Sequence, residues 1–294
     1  MKESRKGLWM VMISGLVFGI MPGAVTFCYG QGATSVQAIL LRFGILSLLL
    51  APGVLRQKKT KEILRRHWKH FIVLCLTGTG TPILLFTAYR YLPTGMATTL
   101  HFLYPTVVAL LCLVVFKEKL SGIKALCFAL CLGGILLMLR TGGEPVSTFG
   151  VIVVLLSSLT WGLYIVFMDK FDLSDLDAKQ IMFFEGIGNV AMIAVYGALT
   201  GDLFAAVTPL GWGALALAST VIAVFGSLFF AAGVRHTDAQ ASAIASTLEP
   251  ITSIFVGVLF LKEPLTVRTA IASVMILSAV VLLTLFGEKK GENA

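Results

Sequence analysis

Ionisable side chains inside long apolar segments are the residues of this chain best placed to do chemistry. A charge at the centre of a lipid bilayer costs about 2.5–3.5 kcal/mol, so such residues are expected to face the interior of a helix bundle. Four positions qualify, namely Arg42, Glu185, Glu249 and His101. A carboxylate and a guanidinium in one cavity suit the ammonium and carboxylate groups of a zwitterion. Glu249 and Glu185 are also candidates for proton coupling, because burial disfavours the charged form of a carboxyl group.

Glu249 lies on a polar helix face. Ser242, Ser246 and Ser253 share with it the spacing i, i+4, i+7, i+11 of a single face. Four polar residues on one face of an otherwise apolar segment indicate a hydrated cavity, with Ser246 and Glu249 as candidates for binding or gating. In the alternative interpretation, Glu249 is a structural acid bonded at the kink that Pro250 introduces.

The same pattern occurs 145 residues earlier, with His101, Tyr104 and Pro105 in place of the second serine, the glutamate and the proline. Each copy continues through an apolar stretch to Lys-Glu-x-Leu, at 117–120 and at 262–265. The acids of these motifs come at segment ends, where a solvated or helix-capping role is expected. A duplicated block of membrane helices is the most economical explanation. His101 and Tyr104 join the binding candidates, since the two copies differ where a substrate would touch them.

Arg42 and Glu185 occupy matching positions of the two copies, 143 residues apart. Glu185 shares a helix face with Asn189, and both are binding or gating candidates. Glu185 either pairs or gates, or it contacts substrate directly. Arg42 is a binding or gating candidate too, and in the alternative interpretation it pairs with an acid or extends to the lipid headgroups. Their expected depths differ by about 9 Å at 1.5 Å per residue, so a direct salt bridge stays an open question.

Aromatic residues and helix breakers complete the candidate set. Trp161 and Tyr164 form an aromatic stripe that either lines a ligand site or packs against helices and lipid. The candidate hinges are Gly78, Gly80, Pro82, Pro105 and Pro250. Close helix packing through small residues is the alternative for the glycines.

Long hydrophobic helices must position these side chains. The chain of 294 residues is 57% hydrophobic and 13% charged, which is too apolar for a water-soluble domain. Ten segments are long enough to cross a bilayer, and in lipid they must be helices because backbone groups have to be satisfied internally. They are 8–29, 34–54, 70–89, 95–116, 121–139, 149–168, 179–199, 211–234, 241–261 and 266–286. The fold class is therefore an all-α polytopic membrane protein with ten transmembrane helices.

Two repeats of five helices follow from the duplication, at 1–145 and at 146–294, the second ending in a short tail. Because five is odd, the second repeat must enter the membrane the opposite way up, an arrangement typical of alternating-access carriers. Most of the 23 Lys and Arg fall on one side of the ten segments. The positive-inside rule then predicts that both termini are cytoplasmic, in a bacterial-type inner membrane.

The chain resembles the EamA-type drug/metabolite transporter family. The resemblance rests on the two five-helix halves, on Leu-Tyr-Pro at 103–105 and Leu-Glu-Pro at 248–250, and on the Lys-Glu-x-Leu that ends each following segment. Phe-Gly at 18–19 and Trp-Gly at 161–162 also fit. The resemblance covers about residues 8–286. It implies a substrate cavity among the inner helices, with the fifth and tenth at the periphery, and small-molecule transport, often export of amino acids or related metabolites.

The predicted function is secondary-active transport, in the outward direction, of a small polar or zwitterionic metabolite such as an amino acid or derivative. Another metabolite class (a nucleoside, organic cation or drug) in either direction is the alternative, and an intramembrane enzyme or a channel is less favoured. No enzyme activity, metal or other cofactor is expected. The expected partners are a small-molecule substrate and membrane lipids, without nucleic acid, and the chain is expected to act as a monomer or weak homodimer.

Overall fold

A computed structural model describes residues 2–57, 60–115, 120–139, 146–173, 175–236 and 239–286. The first half contains α1 (Lys2–Gly30), α2 (Ser35–Leu55), α3 (Thr60–Ala88), α4 (Thr94–His101), α5 (Tyr104–Val115) and α6 (Gly122–Leu139). The second half contains α7 (Thr148–Lys170), α8 (Ala178–Thr200), α9 (Pro209–Val221), α10 (Phe229–His236), α11 (Ala239–Ser246), α12 (Leu248–Phe260) and α13 (Val267–Phe286). The predicted all-helical membrane fold is confirmed.

Ten membrane spans account for these helices. Over the described ranges, eight helical stretches are long and apolar enough to cross a bilayer, and two shorter apolar helices, Gly122–Met138 and Ile244–Phe260, stand at the fifth and ninth places. The fourth span is divided into α4 and α5, and the ninth into α11 and α12. The eighth runs from α9 to α10 through a π-helical stretch at Ile222–Leu228.

The third span is longer than its apolar segment. The hydrophobic pattern begins near residue 70, whereas α3 begins at Thr60 and includes much of the basic stretch before it. No Gly or Pro occurs between 60 and 77 to end a helix, and Glu62 in the first turn faces the positive end of the helix dipole. The membrane side on which α3 begins is called the basic side below, and the opposite side the far side.

The second spans of the two halves run in opposite directions. On the basic side, the Gln180 side-chain amide near the start of α8 donates a hydrogen bond to the Gln57 side chain just after α2. On the far side, the Thr34 hydroxyl at the start of α2 donates to the Asp202 carbonyl after α8, at 2.9 Å. The start of each helix therefore lies beside the end of the other, as the inverted repeat requires. The predicted repeat boundary after residue 145 and the tail lie outside the described ranges.

Helix packing repeats under exchange of the halves. Span one packs against spans eight and nine, and span six packs against spans three and four, while spans two and seven, four and nine, and five and ten pair across the axis. A hydrogen bond is duplicated as well. The Ser14 hydroxyl donates to the Gly226 carbonyl at 2.9 Å, and the Ser157 hydroxyl donates to the Thr81 carbonyl at 3.2 Å. The two halves are thus copies in structure as well as in sequence.

A glycine brings α1 against α12 and so fixes the position of Glu249. A Cβ atom added to Gly19 would lie 2.5 Å from the Glu249 carbonyl oxygen and 2.5 Å from Thr252 Cβ. Both distances are far below van der Waals contact, so only glycine allows this approach. The close packing places the first residues of α12 directly against the middle of the first span.

Candidate functional site

Glu185 is a buried carboxylate in the half of the helix bundle that is nearer the basic side. The capping box between Asp177 and Gln180 fixes the start of α8, and Glu185 follows two turns later, at 8% exposure. The Tyr164 hydroxyl on α7 lies 3.1 and 3.0 Å from the two carboxylate oxygens and donates to them. The contact joins the sixth and seventh spans and aims the carboxylate at the aromatic side chains of α7.

Three aromatic rings continue from this carboxylate toward the fourth span. Tyr164 stacks on Trp161 with ring centroids 4.8 Å apart and planes at 10°. Trp161 meets Tyr104 edge to face at 6.3 Å and 89°. All three side chains are only partly buried. Their remaining exposure, between helices of both halves, leaves polarisable ring surface open to a ligand.

Glu249 and Arg42 form a second charged group. Glu249 opens α12 and is half-buried, its charge interacts with that of Arg42 on α2, and it lies near the uncharged Tyr104. The Arg42 guanidinium lies 5.3 Å from the centroid of the Phe18 ring, and its Nη1 lies 3.6 Å from Met21 Sδ. Among the described residues, no carboxylate lies within 4.0 Å of this guanidinium. Both groups therefore keep hydrogen-bonding capacity for a ligand.

The positions of Arg42 and Glu185 along their helices decide whether the two side chains form a salt bridge. Each residue is the eighth of its helix, and α2 and α8 are antiparallel. At 1.5 Å per residue, the two side chains start about 10 Å apart along the bundle axis. Arg42 accordingly faces Glu249 from the other half of the chain, and Glu185 bonds to Tyr164.

His101 and Ser246 are engaged within the protein. His101 Nδ1 lies 2.9 Å from the Ser157 hydroxyl. The Ser157 hydroxyl also lies 3.2 Å from the Thr81 carbonyl oxygen, so it joins His101 to the third span. The Ser246 hydroxyl donates to the Ser242 carbonyl one turn back, at 2.9 Å. In this conformation, His101 is bonded to a neighbouring helix and Ser246 to its own helix, and their contact with substrate stays a prediction.

Asn189 lies beside the glycines of the third span. Its Oδ1 accepts a hydrogen bond from the Thr79 hydroxyl at 2.7 Å. A Cβ atom added to Gly78 would be in ordinary van der Waals contact with the Tyr164 ring at 3.6 Å, so Gly78 lies directly beside that ring. The helix α3 is continuous through Gly80 and Pro82, which the sequence suggested as hinges. A hinge role for them stays a prediction, and in this structure the segment lines the site.

The two other candidate hinges lie directly after helix breaks. The chain leaves α4 at His101 and resumes in α5 at Tyr104, one residue before Pro105. The second break separates α11 from α12, which begins two residues before Pro250. Proline is tolerated in the first turn of a helix because its missing N–H would be unpaired there. Each proline therefore lies in the first turn of a new helix beside the site. A hinge role for the two prolines stays a prediction.

Tyr89 is a site residue that the sequence reasoning missed. It is buried directly after α3, near Arg42 and Glu249, and its uncharged hydroxyl lies 3.3 Å from the Thr98 hydroxyl. Thr98 in turn lies 3.0 Å from the Ser253 hydroxyl. A single tyrosine at a helix end has no distinguishing spacing, so only the packing of the end of the third span against the fourth reveals it.

A charged contact on the basic side ties the α7–α8 connection to α3. Asp175 Oδ1 lies 3.0 Å from His67 Nε2, and Asp175 Oδ2 lies 3.3 Å from Arg66 Nη1. The hydrogen bond from His67 and the Arg66 charge hold the pKa of Asp175 below its ordinary value. The contact covers the basic-side ends of the helices that carry Tyr164 and Glu185.

The assembled groups can bind a ligand with charge at both ends and an apolar body. Glu185 and Glu249 offer carboxylates, Arg42 offers a guanidinium, and Trp161 and Tyr104 offer ring surface between them. Within the described ranges, no group of three His, Cys, Asp or Glu side chains is placed to hold a metal ion. The site has the chemistry of recognition through charge and stacking.

Comparisons with known proteins agree with the observed helical fold. The model of the EamA-like transporter family matches the chain twice, over residues 5–140 and 148–285. The uncharacterized transporter YyaM of Bacillus subtilis is 23% identical over 282 residues, which cover 92% of both chains. The uncharacterized transporter YvbV of the same organism is 25% identical over 278 residues, covering 91% of this chain and 89% of its own. A solved crystal structure with 18% identity superposes with a TM-score of 0.62, covering 94% of this chain and 96% of its own.

Proposed function

Because the chain belongs to the EamA-like transporter family, we propose that it is a secondary-active exporter of a small zwitterionic metabolite, such as an amino acid or a derivative. The basic side is the cytoplasm, both termini lie there, and the membrane is a bacterial-type inner membrane. The excess of Lys and Arg on that side supports this orientation. The transporter works as a monomer or weak homodimer.

The row of side chains from Glu185 to Arg42 carries the proposal. The row consists of neighbouring side chains, joined by contacts from Glu185 to Tyr104 and by proximity from Tyr104 to Glu249, whose charge interacts with that of Arg42; its members are Glu185, Tyr164, Trp161, Tyr104, Glu249 and Arg42. A bound ammonium group would lie between the carboxylates, and a carboxylate group would face the guanidinium. The rings between them suit a partly apolar body.

Alternating access follows from two inverted copies that exchange conformations. The row draws on spans two, four, six, seven and nine, so any rocking of one half against the other changes its spacing. Glu249 and Glu185 are the proposed proton carriers, since each is a carboxyl group away from bulk water with few protein donors. In this scheme, an entering proton neutralises the carboxylate that holds the substrate ammonium, and the substrate is released.

Binding and transport by the full-length protein provide the test. A thermal-shift screen against amino acids, nucleosides and cationic drugs identifies a ligand, because a ligand of the folded state raises the melting temperature. Counterflow of that ligand in proteoliposomes is then measured for Glu249→Gln, Glu185→Gln and the matched control Glu62→Gln, an exposed acid of α3. Loss of a charge-assisted contact corresponds to roughly 10- to 100-fold weaker binding in the first two. Equal binding and transport in all three variants would remove the carboxylates from the mechanism.

An organic cation is the second candidate substrate, and one observation favours it. The row contains two carboxylates against one guanidinium, and the stacked Trp161 and Tyr164 rings lie directly beside Glu185, as a cation–π site requires. Arg42→Gln separates the two candidates, with Arg90→Gln as a control for loss of an arginine. A zwitterion loses at least tenfold in affinity when Arg42 is replaced, whereas a cation binds equally well or more tightly.

A further inference from the structure

An apolar groove with a volume of about 540 Å³ opens between α3 and α8 on the lipid-facing surface, near the basic side. Phe71 and Phe184 form part of its buried floor. Trp68, Ile72 and Ile187 form its walls and are 50%, 43% and 48% exposed. The groove is separate from the rings of Tyr164, Trp161 and Tyr104, which lie on the other side of α3 and α8.

Basic side chains surround the basic-side end of this groove. Arg56 directly follows Leu55, which also lines the groove, and Arg65 and Lys69 flank Trp68 on α3. Lys69 Nζ lies 5.7 Å from the centroid of the Trp68 ring. Glu62 on the same stretch offsets one of these charges, so the end of the groove stays net positive. Tryptophan and basic residues at such a position are typical of the headgroup level of a membrane.

Nearby acids do not neutralise this end. Asp175 lies on the neighbouring loop, but its carboxylate is engaged by Arg66 and His67. Asp177 caps the start of α8 through the Gln180 backbone N–H at 2.8 Å. The groove therefore combines a long apolar trough with positive charge at one end only.

We propose that this groove binds one anionic phospholipid from the leaflet on the basic side. One acyl chain lies in the trough between α3 and α8, and the headgroup phosphate is bound by Arg65 and Lys69. The distribution of charge selects this occupant, because an amphiphile with an apolar tail and a negative head matches both parts of the surface. Each buried methylene and each basic residue near an anionic headgroup adds to the affinity. The proposal does not depend on the transported substrate.

The bound lipid would stabilise the packing behind Glu185. Cys75 lies on the floor of the groove, and its Sγ is 3.7 Å from the Glu185 carbonyl oxygen. A Cβ atom added to Gly188 would lie 2.4 Å from this sulfur, so α3 and α8 are already in close contact there. An acyl chain along the same seam would hold this spacing on the outer surface.

Native mass spectrometry of the full-length protein tests the proposal. The protein in mild detergent receives equal amounts of phosphatidylglycerol and phosphatidylcholine, and retained lipid is counted. We expect preferential retention of one phosphatidylglycerol. The variant R65Q/K69Q should lose about tenfold in this preference. The control R5Q/K6Q removes equal charge from α1, whose packing partners lie elsewhere, and should retain it. Inorganic phosphate should not displace the lipid, since it lacks a tail.

Groove-filling variants test the acyl chain separately. Ile72→Trp and Ile187→Trp place a larger side chain at exposed wall positions, so the fold is kept, and an unchanged melting temperature checks this. Both should reduce retention of the lipid, whatever its headgroup. Equal headgroup preference in R65Q/K69Q and R5Q/K6Q would overturn the headgroup site, and full retention in both tryptophan variants would overturn the groove. A dimer that either tryptophan variant dissociates would show that a second copy of the chain is the occupant instead.

Discussion

The contact between Glu263 and Thr94 joins the end of the ninth span to the start of the fourth, and its removal has a calculable effect. The Thr94 backbone N–H lies 2.8 and 2.9 Å from the two carboxylate oxygens, and its hydroxyl donates to one of them at 3.0 Å. Lys262, at a φ of 57°, turns the chain so that Glu263 reaches back over α12. A Cβ atom at Gly257 would lie 2.2 Å from the carboxylate, so a side chain there would displace the carboxylate from this position.

Glu263→Ala leaves the start of α4 without its acceptor. A hydrogen bond to a charged group contributes about 1.5–3 kcal/mol when its partner would otherwise be unsatisfied. For a chain of this size, about 2 kcal/mol corresponds to a decrease of roughly 4–8 °C in melting temperature. Glu263→Gln keeps an acceptor but loses the favourable charge at a helix N-terminus, which costs about 0.3–1 kcal/mol. Thr94→Val removes only the hydroxyl bond and costs about 1 kcal/mol.

Thermal unfolding in detergent measures the series, with Glu62→Ala as the matched control. Glu62 also lies in the first turn of a helix, but it is exposed, so its replacement should change the melting temperature by no more than about 2 °C. The expected order of destabilisation is Glu263→Ala, then Thr94→Val and Glu263→Gln, then the control. The reasoning is refuted if Glu263→Ala is no less stable than Glu62→Ala.

Three further predictions use the same purified protein. Tyr164→Phe removes the donor to the buried carboxylate and should lower stability by about 1.5–3 kcal/mol in unfolding experiments, whereas Tyr196→Phe at a lipid-facing position should have no effect. Gly19→Ala should lower the melting temperature because its methyl group meets α12 at 2.5 Å, and Gly44→Ala, with open space around it, should not; equal melting temperatures would contradict the packing. The pKa of Asp175 lies below its ordinary value of 3.8, so the unfolded chain binds the proton more readily, and the contribution of Asp175 to stability is full above pH 3.8 and lost as the pH falls through the lower folded value. Between about pH 5 and about pH 2, the melting temperature should therefore fall more steeply for the native protein than for Asp175→Asn.

Capping by Glu263 shows what the local sequence pattern could predict and what it could not. The motif at the end of the ninth span predicted a solvated or capping acid, and the structure selects capping. The helix that it caps belongs to the other half of the chain, which no local pattern could indicate. The equivalent motif at 117–120 lies largely outside the described residues.

The candidate site, too, could be predicted from the sequence only in part. The cost of burying charge was enough to select Glu185, Glu249 and Arg42 as interior residues. The approach of Arg42 to Glu249 rather than to Glu185 depended on depth in the membrane, and depth follows from helix direction and helix start, which the caps determine. Tyr89 was not predicted, because a single tyrosine forms no periodic sequence pattern.

The amino-acid sequence by itself determined the helical membrane fold and its duplication, because hydrophobic length and repeat offset are properties read along the chain. An odd number of spans per repeat then required the second half to be inverted. Only the tertiary structure decided which side chains meet, since contacts across the pseudo-symmetry axis join residues more than a hundred positions apart. Such contacts depend on where each helix starts and on how closely glycines such as Gly19 let neighbouring helices approach. Spacing along one helix contains neither quantity.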